Sequence, residues 1–167
     1  RAYRIERILP GENWDKKTRS PLTDVGVDVK PGDYILAINN TPVSSLPNLY
    51  DALIGTADKQ VVLRVNSKPT DAGARDVTVV PTDDEAPLYY LDWVQKNIDY
   101  VNKKTGGEVG YLHIPDMGQP GLNQFTKFYF PQIRKHALIV DVRGNGGGFV
   151  SPVVIERLRR ALVMVGI

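Results

Sequence analysis

A chain of 167 residues, 42% hydrophobic and 24% charged, suits one or two small globular domains. Its formal net charge of +2 is close to neutral and suggests neither nucleic acid nor an anionic membrane as a partner. The absence of cysteine excludes a disulfide framework and thiolate chemistry but leaves both cytoplasm and periplasm open. No apolar run is long enough to span a bilayer, and no stretch of these residues reads as a signal peptide. The start at Arg1 and the apolar end from Ala161 to Ile167 read as the limits of an excised fragment.

From the start, Tyr3 to Leu9 alternates loosely, with Ile5 and Ile8 apolar, and predicts a strand ended by Pro10-Gly11. Glu12 to Thr23 is polar, a surface loop with Trp14 as its one large apolar anchor. A turn at Lys30 to Asp33 leads to a strand at Tyr34 to Asn39, and Asn39-Asn40 suits a type I′ hairpin because Asn tolerates the left-handed region. Ser45 is placed to cap a helix from Leu46 to Ile54, with Leu49, Ala52 and Leu53 on one face and Gly55 as its stop. Val61 to Val65 and Asp76 to Val80 predict two further strands.

The stretch Gly26 to Val43 (GVDVKPGDYILAINNTPV) resembles the core of a PDZ domain as found in bacterial proteases. That resemblance implies a partly open β-barrel in which the Leu46 to Ile54 helix borders a groove for an extended peptide, bound as an added strand. The family's carboxylate-binding loop should precede Tyr3 and is not in this chain, so the open edge is free to pair with another copy instead.

Pro81 to Pro87 sets two prolines around three acids, and residues 83–90 read as a linker between a PDZ-like domain at 1–82 and a second region at 91–167. Leu91, Val94, Ile98 and Val101 give the helical period within Leu88 to Asn102. Glu108 to Ile114 predicts a strand, Leu122 to Tyr129 a helix interrupted at Pro131, and Ala137 to Val142 a buried strand rich in β-branched residues. Gly144 to Gly148 is a loop with four glycines free to take positive φ, after which Ser151-Pro152 reads as an N-cap and first-turn proline of a final helix. The order α-β-α-β-α favours parallel strands with crossover helices, an α/β segment following an α+β one.

Gly110 to Phe125 (GYLHIPDMGQPGLNQF) together with Leu138 to Ser151 (LIVDVRGNGGGFVS) resembles the C-terminal core of the tricorn protease family, a branch of the C-terminal processing serine peptidases. The resemblance implies a truncated crotonase-like (ClpP-like) α/β core after the PDZ domain, peptides or proteins as substrates, and no metal or organic cofactor. It also implies that the catalytic histidine and the nucleophilic serine lie outside this chain, which by itself is inactive. The oxyanion-hole glycine falls in the loop matching Asp116 to Gly121, which makes Gly118 or Gly121 the candidate donor; the alternative is that these glycines only form a tight turn.

Other residues have plainer readings beside their functional ones. Gly146 to Gly148 read first as close packing that shapes a cleft. Ser151 is explained by capping without a nucleophilic role, and His113 and His136 by structural roles, since neither has neighbours at metal-ligand spacing. Asp141 and Arg143 share one side of their strand and suggest a buried ion pair that orders the glycine loop. A substrate-facing Asp141 or Asp116, selecting basic residues, is the competing reading. Nucleotide binding fails in detail: no Lys-Ser/Thr follows the loop, and Phe149 stands where the last glycine of GxGxxG would fall when counted from Gly144. A non-catalytic peptide-binding scaffold is the alternative function. An apolar helix surface left without its partner strand predicts self-association of this chain as a dimer; the longer protein is separately expected to be a homo-oligomer.

Overall fold

A computed structural model describes residues 2–159, and the chain divides into two compact units at Asp92 and Trp93. The first unit is an antiparallel sheet of β1 (Tyr3–Arg4), β2 (Tyr34–Ile38), β4 (Val61–Asn66) and β5 (Arg75–Val79) in that spatial order, with β3 (Thr41–Pro42) paired to β2. Alternation in β4 sends Val61, Leu63 and Val65 into a core with Ile38, Val43, Val77 and Val79. Asn39 and Asn40 both take positive φ, 48° and 65°, as a I′ turn requires. The Asn39 side chain also accepts the Val62 N–H at 2.9 Å. In the turn before β2, the buried carboxylate of Asp33 accepts the Lys30 N–H at 3.0 Å and Arg75 Nη2 at 2.6 Å, which binds the turn to β5.

Several expectations for this unit change. The strand at Tyr3 to Leu9 shrinks to two residues, because beyond Arg4 its partner has already turned: the Ile5 N–H donates to Asp33 O and the Gly32 N–H to Ile5 O. The helix expected at Leu46 to Ile54 is instead a single 3-10 turn, Leu49–Leu53, with another just before that range at Val43–Ser45. Pro47 lacks the N–H that a continuous helix needs, and Asn48 restarts the winding by accepting the Tyr50 N–H. Ser45 does not cap; its hydroxyl donates to Pro42 O. Trp14 does not anchor its loop, being 82% exposed. The loop is held by polar groups instead: Asn13 bonds Ser20, Thr23 and Asp24, and the buried Ser20 hydroxyl donates to Leu9 O.

The proposed linker is partly helical. Helix α1 (Ala86–Thr105) starts inside it, where Asp84 accepts the Ala86 N–H and Pro87 occupies the first turn. In the second unit, β6 (Val109–His113) and β7 (Ala137–Asp141) pair in parallel, Tyr111 opposite Ile139 and His113 opposite Asp141. Helices α2 (Gln119–Tyr129) and α3 (Ser151–Arg159) both pack on the Leu112 and Ile114 face, through Phe125 and Val154. The other face is only partly covered, so Ile139 is 46% exposed and β7 is not the fully buried strand its composition suggests. Helix α3 starts one residue earlier than expected: Val150 O takes the Val153 and Val154 N–H groups, which puts Ser151 inside the first turn rather than at the cap. Ala161 to Ile167 lies outside the described residues. Among the described residues no helix is long and apolar enough to cross a membrane.

Candidate functional site

Parallel strands carry their chemistry in the loops at their C-terminal ends. Here those loops are residues 114–118, leading into α2, and 142–150, leading into α3. They continue the strand pairing beyond the sheet. Asn145 Nδ2 donates to Ile114 O at 2.9 Å, the Gly146 N–H to Pro115 O, the Met117 N–H to Gly147 O at 2.7 Å and the Val150 N–H to Met117 O at 2.8 Å. Met117 and Gly148 form a parallel bridge so close that a Cβ on Gly148 would lie 2.2 Å from Met117 O. Positive φ occurs at Gly144, Gly147 and Gly148 but not at Gly146.

Three of the predicted site residues come together at the N-terminus of α2. Asp116 Oδ1 accepts the Gly118 N–H at 2.7 Å and the Gly121 N–H at 3.1 Å. The carboxylate therefore stands where an anion would sit at this helix start, and holds both candidate oxyanion donors. Gly121 has no room for a side chain, since a Cβ would lie 1.8 Å from Asp116 O.

Asp141 belongs to a separate cluster. Its buried carboxylate accepts the Tyr111 hydroxyl at 2.7 Å, the Arg143 backbone N–H at 2.9 Å, and Arg143 Nε and Nη2. The Arg143 guanidinium and the further donors hold the Asp141 carboxyl well below the usual carboxylate range against the opposing effect of burial. Burial, then the bond to Asp141, pushes the Tyr111 phenol up to about 12. The ion pair is one-sided: the Asp141 side chain is 6% exposed and that of Arg143 74%. Arg143 lies over the Trp93 ring at 5.6 Å, and its carbonyl accepts Nε2–H of the buried His113, whose ring meets Trp93 edge-on. His136 is exposed and pairs with Glu108 at 2.6 Å. An open cleft of about 630 Å³ runs along β7, lined by Asn97, Tyr100, Val101, Tyr111, Ile139 and Arg143 among others. Among the described residues no cluster of His, Asp and Glu could hold a metal ion.

Tyr111, Trp93 and Asn145 were not singled out from the sequence. Tyr111 could have been: it shares a face with Asp141 once the two strands are aligned, but their register is a tertiary fact.

An antiparallel unit is followed by a parallel α/β unit whose two glycine loops interlock. The two parts match two family descriptions, "Tricorn protease PDZ domain" over residues 1–84 and "Peptidase family S41" over residues 108–160. The chain belongs to the tricorn protease family. It is 43% identical over 163 residues to Tricorn protease homolog 1 of Streptomyces coelicolor, covering 97% of this chain and 15% of that protein. It is 37% identical over 156 residues to the Tricorn protease of Thermoplasma volcanium, covering 93% of this chain and again 15% of the relative. The crystal structure of the tricorn protease superposes with a TM-score of 0.84 at 34% identity, over 98% of this chain and 16% of that one. The chain thus spans about 15% of the length of these relatives.

Proposed function

We propose that this chain is a part of a longer serine peptidase that hydrolyses peptides. The PDZ-type unit, residues 1–82, positions or gates substrate, and the second unit supplies cleft walls and an oxyanion donor at Gly118 or Gly121. The observation that carries this reading is the α2 N-terminus, where two N–H groups converge on one oxygen, that of Asp116. For either group to meet a developing oxyanion, Asp116 must swing away or share it. The catalytic histidine and serine are assigned to segments outside this chain. Asp116 and Asp141 remain the candidate contacts to basic substrate residues, with Asp116 favoured because the oxygens of Asp141 are already taken by Tyr111 and Arg143.

The second unit is read as the start of a crotonase-like core. Helices α2 and α3 lie on the same face of the two strands, as successive right-handed crossovers require, so a following strand would run beside β7. No cofactor takes part in this scheme. Fluorophosphonate labelling of the longer polypeptide tests it: labelling on a serine outside this chain is the expected result. An unlabelled protein that still binds peptide would replace the peptidase with a non-catalytic scaffold, and a label on Ser151 would overturn the assignment of the nucleophile.

Without further segments, the apolar side chains of Ile139, Val142, Ile155 and Leu158 are each more than 40% exposed. Self-association of the chain to a dimer follows from that surface. Light scattering over a range of concentrations checks it, and a monomer throughout counts against it.

A further inference from the structure

The two edges of the parallel sheet in the second unit are treated differently. Strand residues alternate in the direction of their amides, and the Ile114 N–H donates to Asp141 O, so the even-numbered residues of β6 face β7 and the odd-numbered ones face away. The outward amides of β6 that a further strand would use are those of Val109, Tyr111 and His113, and the first two are occupied by side chains. Thr105 Oγ1 accepts the Val109 N–H at 3.2 Å and donates to Val101 O. Gln132 Oε1 accepts the Tyr111 N–H at 3.0 Å while its Nε2 donates to Tyr111 O at 3.0 Å and to Phe128 O at 2.6 Å. The Gln132 carboxamide thus makes both bonds to Tyr111 that the peptide groups of an adjacent strand would make. Gly110 creates the space for it: a Cβ there would lie 2.7 Å from Gln132 Oε1. On β7 no side chain reaches the outward amides of Leu138 and Val140 among the described residues.

We propose that Thr105 and Gln132 form an edge lock that closes β6 against strand addition and leaves β7 as the one edge of this sheet open to another strand. An uncovered sheet edge is a template for pairing between copies, and side-chain cover is one way of removing it. A glutamine is suited to the task because its amide carries the donor and the acceptor of a peptide group on a side chain long enough to reach in from the turn after α2. The lock is distinct from the peptidase reading and stands or falls without it.

The test is amide hydrogen exchange at Tyr111 and Val109 in the whole chain, at low and high protein concentration, with the Leu138 and Val140 amides in the same samples reporting on β7. In the unaltered chain, Tyr111 exchange is expected to be slow and independent of concentration. Gln132→Met keeps the length and apolar packing of the side chain but removes both bonds. Exchange at Tyr111 should then be about tenfold faster in dilute solution and slow again at high concentration, as exposed β6 edges pair. Exchange equal to that of the unaltered chain would overturn the lock, and so would fast exchange that concentration does not reverse. If Gln132→Met does not fold by circular dichroism, Thr105→Val applies the same criteria at Val109.

Discussion

Replacing Gly121 with alanine is expected to destabilise the second unit by about 3 kcal/mol or more. The added Cβ would lie 1.8 Å from Asp116 O and 2.7 Å from its carbonyl carbon, and both are backbone atoms that no rotamer change can move. Relief requires the loop to leave the α2 N-terminus, which breaks the bonds from Gly118 and Gly121 to Asp116 and disturbs the pairing of Met117 with the second glycine loop. Gly118→Ala is the control. Its Cβ would meet only the Asp116 side chain at 3.0 Å and Pro120 at 3.7 Å, and its φ of −107° suits any residue, so a change below about 1 kcal/mol is expected. Urea unfolding followed by circular dichroism measures both. Equal losses for the two variants would show that the loop is not packed as described. In the longer polypeptide the same pair separates the candidate donors. Gly118→Ala keeps its N–H, so strong loss of labelling without loss of stability would point to crowding of the oxyanion position.

Asp141→Ala is expected to destabilise by about 2–4 kcal/mol, mainly because the Tyr111 hydroxyl is left buried without its acceptor. Arg143 contributes less to this loss, since its exposed guanidinium returns to water. The acid limb carries the sharper expectation. The folded-state pKa of Asp141 is depressed, so the stabilisation is complete above the unfolded value of about 4 and is lost as pH falls from there toward the folded value. The stability difference between the unaltered chain and Asp141→Asn should therefore shrink steadily below about pH 4 and be flat from pH 5 to 8. The Tyr111 phenol adds the mirror image at high pH. Its folded pKa is raised, so its contribution is present below the unfolded value of about 10 and lost as pH rises toward 12. Denaturant midpoints across pH for Asp141→Asn and Tyr111→Phe test these windows. An acid limb unchanged in Asp141→Asn would remove the ion pair from the account.

Much of this was legible residue by residue. The I′ turn at Asn39-Asn40, the alternation of Val61 to Val65, the parallel β-α-β order and the two glycine loops follow from local preferences and periodicity, which act over a few residues. The family was legible for the same reason, because its motifs are contiguous. Where local signals compete, pattern misleads: Leu46 to Ile54 has a helical apolar face, but Pro47 and Asn48 reset the winding, and Trp14 has the size of an anchor while its surroundings leave it exposed.

What the tertiary structure alone decided is which polar groups meet. Register sets Tyr111 against Asp141, loop pairing brings Met117 to Gly148, and the turn after α2 delivers Gln132 to the β6 edge. These contacts join residues about twenty to thirty positions apart. Hydrogen bonds are short and directional, so a partner is chosen by where the backbone places it. Hydrophobic burial needs only the right face, and a face is what sequence periodicity encodes.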